Sequence, residues 1–460
     1  MPGLPSDAKV LVSAPLPADC RNPASDPRKM RRIITEDLTW SLAMVPSLSE
    51  LCLQHVVGNF EQNPILDKLL PKHTVKVLEQ ISTLLPLKIT ANLIHQENYW
   101  RRCCARRWAT GDISHYGGSW KRLYFERHLQ NLIVHFIPDF TEVETILEVA
   151  QLGKDYIKKL EVQQLLPPVK LEDKTGEGDE ISDSGSEAGL DLPSTDHFDL
   201  NLIAGPMQGL EELHLVYGVK DCGVNFEWNL FNFTDQDCAS LAKALKAFRN
   251  LQVFRLNRSK VDDHKVRVLV RSLLDHLSLI HLDLSHNKIS DRGARAIGKL
   301  INVSKLQTLN LCDNNVHPHG AQAIAHALST NRTLLNLNLR LNHIGDEGGQ
   351  PLCQALLHNT NLVTLHLGSN QLSEPTAAVL SQVLSQNTSL RSVSLSCNRI
   401  GLDGGKQILE GISENKTLVE FDLRLTEVGQ ESEIFINHAL RSNQELARHD
   451  ALMKKQTSEV

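Results

Sequence analysis

Leu279-Ile280-His281-Leu282-Asp283-Leu284-Ser285-His286-Asn287 is the stretch that decides the fold, because the chain repeats its pattern at a fixed interval. The leucines and the asparagine recur as Leu306, Leu309, Leu311 and Asn314, then as Leu334, Leu337, Leu339 and Asn342. Leu362, Leu365, Leu367 and Asn370 follow, and Leu390, Val393, Leu395 and Asn398 close the run. Successive asparagines stand 27, 28, 28 and 28 residues apart. A fixed period carrying L-x-x-L-x-L-x-x-N is the signature of leucine-rich repeats. Alternate residues of each L-x-L step make a short strand with one apolar face. The asparagines (Asn287, Asn314, Asn342, Asn370 and Asn398) are structural in this reading. Their amides donate and accept where the chain leaves the strand, as a buried turn requires.

The second half of each unit carries apolar residues at helical spacing, as in Gly320, Ala323, Ile324, Ala327 and Leu328, or Gly348, Gly349, Leu352, Ala355 and Leu356. Asn331, Asn359, Asn387 and Asn415 each stand three residues before the first leucine of a strand, at a helix C-terminus. One strand and one helix per unit predict an α/β leucine-rich-repeat solenoid. It resembles the ribonuclease-inhibitor-like type, a horseshoe with a parallel sheet on its concave face and helices outside. Weaker copies flank the clear ones. Leu251, Phe254 and Leu256 have Ser259 in the asparagine place, and Leu418, Phe421 and Leu423 have Thr426. Leu210, Leu213 and Leu215 form an opening repeat, followed by an excursion over 221–233 that includes Trp228. A helix after Glu431 is expected to cover the last repeat.

The 460 residues leave room for two or three domains, and a net charge of −6 gives neither a nucleic-acid footprint nor a strongly acidic protein. Nine cysteines, an odd number with no C-x-x-C pair, read as reduced intracellular thiols, mostly buried in repeats (Cys312, Cys353, Cys397). No secretory leader and no run of membrane-spanning length is read, so no membrane is expected. Triplets such as Asn331-Arg332-Thr333 recur because the repeat recurs, and glycosylation is not expected. Residues 1–30 hold six prolines and read as a flexible arm. Residues 31–168 read as a mainly helical N-terminal domain, with helical spacing over 65–70, 75–85 and 120–137 and a further helical stretch over 141–166 that ends before Pro167-Pro168. Residues 169–200, with Gly176-Glu177-Gly178-Asp179-Glu180, read as an acidic disordered linker. The repeat domain takes 201–445 and a C-terminal tail 446–460.

No H-E-x-x-H, G-x-x-x-x-G-K-[ST] or G-x-S-x-G motif occurs, and no catalytic, cofactor-binding or metal residue is assigned. Gly401-Leu402-Asp403-Gly404-Gly405-Lys406 lacks phosphate-loop spacing and reads as a helix start. His317-Pro318-His319 reads as a surface loop, since zinc wants four ligands. Cys103-Cys104 reads as packing in a helix. With the strands in register, Arg255, Asp283, Asn310, Asn338, His366, Ser394 and Asp422 form one outward column. Asn257, Ser285, Cys312, Arg340, Gly368, Ser396 and Arg424 form the next. The columns are polar and mixed in sign, without a convergent acid–base pair. They read either as a solvated face or as a protein-binding surface centred on Arg255, Asp283, Asn310, Asn338, Arg340, His366, Asp422 and Arg424. A second candidate is the run from Trp100 to Trp108, where Trp100, Arg101, Arg102, Arg106 and Arg107 have the composition of a docking hot spot for an acidic partner. Its alternative is one helix with Trp inside and Arg outside.

Taken together, the repeats, the segment from Leu69-Leu70-Pro71-Lys72 to Trp108, Ile33-Ile34-Thr35-Glu36-Asp37-Leu38-Thr39-Trp40 and Leu311-Cys312-Asp313-Asn314-Asn315 resemble one family over nearly the whole chain. It is the T-complex-associated testis-expressed family of leucine-rich-repeat subunits of the nexin–dynein regulatory complex. The resemblance implies a non-enzymatic scaffold that links doublet microtubules of motile axonemes and regulates dynein, in cilia and particularly the sperm flagellum. Its implied partners are the coiled-coil and leucine-rich subunits of that complex and the doublets themselves, with no cofactor, nucleic acid or small-molecule substrate. Two other classes compete. Leu70-Pro71 with Val75, Leu78, Ile81, Leu84 and the distant Trp100 and Trp108 loosely imitates an F-box ahead of repeats, as in a ubiquitin-ligase substrate receptor. A leucine-rich GTPase activator would carry an acidic tail, whereas this chain has Ala451-Leu452-Met453-Lys454-Lys455-Gln456.

Overall fold

The computed structural model describes residues 30–32, 44–109, 112–168 and 197–458. The expected arm (apart from Met30), the 33–40 motif, nearly all of the acidic stretch and residues 459–460 lie outside the described residues. The chain forms two compact units, Met1–Lys121 and Arg122–Val460.

In the first unit, β1 (Met30–Arg32) pairs antiparallel with β2 (Met44–Pro46). Four helices follow: α1 (Leu48–Gly58), α2 (Pro71–Gln80), α3 (Leu87–Leu93) and α4 (Glu97–Arg107). Ser47 and Glu50 close a reciprocal capping box at the start of α1, and Pro71 opens α2 at a position where its missing N–H costs nothing. Phe60, Val77, Ile81, Ile94, Tyr99, Trp100 and Cys104 are buried.

The second unit opens with α5 (Trp120–Val134), which starts at the division, then α6 (Val143–Gly153) and β3 (Lys159–Val162). The single helix expected over 141–166 is therefore corrected. It stops at Gly153, where an added Cβ would lie 2.6 Å from Ile157 and 2.8 Å from Phe125. Beyond it, Leu160 and Val162 are buried while Lys159 and Glu161 are half-buried, the period-2 alternation of a strand. Nine parallel strands stack in chain order from β3 to β11. After β3 come β4 (Glu212–Leu215), α7 (Asp235–Ala247), β5 (Val253–Leu256) and α8 (Asp263–Leu273). The regular units continue with β6 (His281–Asp283), α9 (Asp291–Val303), β7 (Thr308–Asn310), α10 (Pro318–Thr330), β8 (Asn336–Asn338) and α11 (Gly345–Ala355). The last are β9 (Thr364–His366), α12 (Glu374–Gln386), β10 (Ser392–Ser394), α13 (Gly401–Ser413), β11 (Glu420–Asp422) and α14 (Gln430–Ser458). The sheet thus begins ahead of the acidic stretch that was expected to mark a domain boundary.

The leucines of each unit point into the core, and two asparagine ladders stitch units together. In the first, Asn342 donates to Leu311 O, Leu339 O and Arg340 O at 2.9, 3.0 and 3.1 Å and accepts from Val316 N at 3.0 Å. Asn287, Asn314 and Asn398 bond in the same manner, and Asn370 makes the same donations, to Leu339 O, Leu367 O and Gly368 O. In the second ladder, Asn359 donates to Leu328 O at 2.8 Å and Asn331 O at 3.1 Å while accepting from Leu362 N at 2.8 Å. Helix N-termini are capped from the preceding unit. Asp263, in the first turn of α8, accepts from Ser290 N at 2.7 Å and Gly293 N at 2.9 Å at the start of α9. Asp291 does the same for His317 N and Gly320 N. A Cβ at Gly320 would stand 2.6 Å from the Asp291 carboxylate, so glycine admits the cap. At the far end α14 covers the last repeat, with Asn443 donating to Asn415 O and Leu418 O and with Ile436 and Leu440 buried. The stretch expected as a tail from 446 is the second half of this helix.

Candidate functional site

Strand register brings the first predicted column together residue for residue: Arg255 faces Asp283, then Asn310, Asn338, His366, Ser394 and Asp422. It also extends it upstream to His214 and Glu161, which were missed in the sequence. Several members are tied into the backbone. Asp283, Asn310 and Asn338 each accept from the N–H two residues on, at 2.9, 3.1 and 3.1 Å. Asp422 takes a two-pronged bond from Arg424, Nε at 2.7 Å and Nη2 at 2.9 Å. That bond holds its carboxyl far below the usual carboxylate range against the opposing effect of burial. These groups have little left to offer a partner.

The open valences lie elsewhere on the same face. Among the described residues, the buried nitrogens Arg255 Nε, His214 Nε2, His281 Nε2 and Arg340 Nε have no hydrogen-bond partner. Burial, with Arg255 and Lys159 beside it, pushes His214 down to about 4. Burial and Arg255 lower His281, and burial and Arg340 lower His366. The imidazoles are therefore neutral at neutral pH and the standing positive charge belongs to arginine. Around Arg255 and His214 lies a pocket of about 560 Å³, also lined by Glu161, Gln163, Lys220, Phe231 and Arg258. A larger cavity of about 960 Å³ opens at the N-terminal ends of the same strands, where Lys158 and Glu211 already pair at 2.9 Å. His214 could have been found by carrying the column one repeat upstream. Glu161 needed β3, whose strand has no leucine-rich consensus to mark it.

The Trp100–Trp108 run is α4 and its C-cap, and its residues divide. Trp100 is fully buried and donates Nε1–H to Ile94 O at 3.0 Å, so it has no surface to present, contrary to the docking expectation. Arg102 caps the end of α2, donating to Leu78 O at 2.6 Å and Ile81 O at 2.9 Å. This corrects its assignment too, because those carbonyls have no helical donors of their own. Arg101, Arg106 and Arg107 are exposed; Arg101 stands 5.8 Å over the Trp120 ring, and Arg106 donates to Thr83 Oγ1 at 3.3 Å. The Cys103 and Cys104 thiols are buried and unbridged, and burial pushes Cys103 up. Cys397 is exposed, a correction to its expected burial. Gly401 starts α13, and a Cβ at Gly405 would stand 2.3 Å from Val428 O, so those glycines serve packing. Among the described residues no group of three His, Cys, Asp or Glu side chains is placed to hold a metal ion, and no helix is long and apolar enough to cross a membrane.

The leucine-rich-repeat family model matches residues 276–298, 304–325, 330–353, 358–375 and 386–409. Curated relatives extend the match beyond the repeats. Dynein regulatory complex subunit 5 of Macaca fascicularis is 57% identical over 334 residues, covering 72% of this chain and 66% of the relative. The Homo sapiens protein of that name is 57% identical over 288 residues, covering 62% and 57%. The Chlamydomonas reinhardtii one is 31% identical over 226 residues, covering 49% and 50%. This chain belongs to the dynein regulatory complex subunit 5 family of leucine-rich-repeat proteins. It spans between half and two thirds of the length of these relatives. The matched repeats coincide with β6 to α13, the middle of the run from β5 to β11 whose register forms the polar columns above.

Proposed function

We propose that this chain is a non-enzymatic scaffold subunit of the nexin–dynein regulatory complex, linking doublet microtubules and regulating dynein-driven motility of cilia and sperm flagella. The observation that carries this reading is the 57% identity to relatives named as subunits of the dynein regulatory complex. The sheet face supports it: a broad polar surface with unused arginine and histidine nitrogens suits protein docking. Its partners are other subunits of the complex and the doublets, and its place is the axoneme. Cross-linking mass spectrometry on intact motile axonemes tests this. Links from this chain to regulatory-complex subunits are expected, and absence of the chain from axonemes would overturn the reading.

A second reading, an F-box-like substrate receptor of a ubiquitin ligase, draws on Leu70, Val75 and Leu84, which lie 61%, 52% and 63% exposed on and beside the Leu70-Pro71 helix. Exposed apolar residues of that kind mark contact surfaces. Capture of the ligase adaptor by the full chain, lost on Leu70→Asp with Val75→Asp, would support it.

A further inference from the structure

We propose that the pocket at the β3–β5 end of the sheet is a docking site for an acidic segment of a partner protein, with Arg255 and His214 receiving a carboxylate. The proposal deepens the scaffold reading by giving the chemistry of one contact, and rests on that reading only for the existence of such a partner.

The pocket is built by a piece of chain outside the repeat pattern. The 221–233 excursion folds back so that Phe231 forms one wall, and Gly218 makes room for it: a Cβ there would lie 2.8 Å from the Phe231 ring. The opposite wall is the strand face itself, Glu161 and His214 with Arg255 in register beside them. Tyr217 N bonds Ser259 Oγ at 2.9 Å, and Lys220 N bonds Gln164 Oε1 at 3.1 Å, anchoring the root of the excursion. No regular repeat has this wall, so the pocket occurs at this end of the sheet.

Its valences specify the occupant. Arginine Nε is a donor only, and a buried donor without an acceptor is costly, so Arg255 Nε calls for an oxygen. The guanidinium fork matches a carboxylate in shape and charge. His214, neutral here, can add an N–H from Nε2. The charged lining is Arg255, Arg258 and Lys220 against Glu161, with Glu212 Oε2 3.7 Å from His214 Nε2 beside it. Glu161 is already engaged by Gln163 at 2.7 Å and Lys159 at 3.3 Å. Beside the pocket, Phe226 is 48% exposed, with its ring 5.4 Å from Phe231. The partner segment therefore sets a carboxylate next to an apolar side chain.

The test uses the full chain and a fluorescein-labelled peptide of four glutamates flanking one phenylalanine, read by fluorescence anisotropy at low and high ionic strength. Binding is expected, weakening with salt and absent for the glutamine version of the peptide. Arg255→Gln should weaken binding by at least about tenfold, because it removes one side of a desolvated charge pair. His214→Gln should weaken it about threefold. Arg295→Gln, on the exposed surface of α9, should change nothing. Unchanged melting of the variants excludes misfolding. Equal binding by Arg255→Gln, or by the glutamine peptide, overturns the proposal. The chain's own acidic stretch over 169–196 is a rival occupant. If the unaltered chain ignores the peptide and a chain with those carboxylates changed to amides binds it, the pocket belongs to that stretch and the partner assignment falls. Axonemal cross-links are read independently, so failure here leaves the scaffold reading to its own test.

Discussion

Replacing Asn342 tests the asparagine ladder where its donors and acceptor can be separated. The side chain is 2% exposed and makes four bonds. Three go to carbonyls that each keep another donor: Leu311 O retains Asn314 at 3.1 Å, Leu339 O retains Asn370 at 2.8 Å, and Arg340 O retains Asp313 N at 2.9 Å. The fourth is the bond from Val316 N, which Asn342→Ala leaves without a partner. One orphaned buried N–H, plus three weakened carbonyl sites, gives a loss of about 2–4 kcal/mol. Asn342→Asp keeps the acceptor for Val316 N but points a carboxylate oxygen at three carbonyls. Although nearly isosteric, it should cost more than alanine at neutral pH, about 3–5 kcal/mol. Burial raises the pKa of such a carboxyl. Its penalty is therefore smallest below the ordinary value of about 3.9 and grows as pH rises through the raised one. The assay is equilibrium urea unfolding by far-UV circular dichroism at neutral and acid pH, with hydrogen exchange across β7 to β9 to locate the loss, since solenoids need not unfold in one step. An aspartate variant as stable as the alanine variant at neutral pH would refute the donor role.

Leu341 sits at φ +56° and is 46% exposed, so Leu341→Asn, a residue that tolerates this left-handed backbone, should raise the urea midpoint by about 0.5–1 kcal/mol equivalent; a lowered midpoint would show that its packing matters more. Thiol labelling of the native chain should modify Cys52 and Cys397 quickly and leave Cys238 and Cys353, pushed up to about 12 by burial, silent until unfolding; early modification of Cys353 on peptide mapping would contradict its packing. Asp346, Asp262 and Asp237 all have lowered carboxyl pKa values, because hydrogen bonds and nearby charge outweigh burial. Their stabilisation is complete above the ordinary carboxylate value and is lost as pH falls below about 3.9, so thermal stability should drop there. Glu126, raised by burial, completes its opposite change above that window, by the ordinary glutamate value. A flat profile down to pH 2 would overturn the role of Asp346, which accepts from Ser373 N at 2.9 Å at the start of α12.

The sequence by itself determined what is periodic. Units of equal length must stack so that equivalent residues become neighbours, so the strands, their register and the column from Arg255 to Asp422 follow from spacing alone. The turn asparagines were legible for the same reason. Only the tertiary structure decided what the non-repeating segments do. Lys159-Leu160-Glu161-Val162 is too short to show its period against an adjoining helix, and becomes a strand because β4 lies beside it. Trp100 and Arg102 have the composition of a docking surface. Ile94 and the carbonyl end of α2 engage them instead, through partners that no local pattern could announce. The pocket joins Glu161, His214, Phe231 and Arg255 from separate segments, and the excursion wall bears no repeat. Periodicity encodes contacts at one constant separation. Contacts at irregular separations depend on side-chain complementarity, which becomes visible only once the chain has folded.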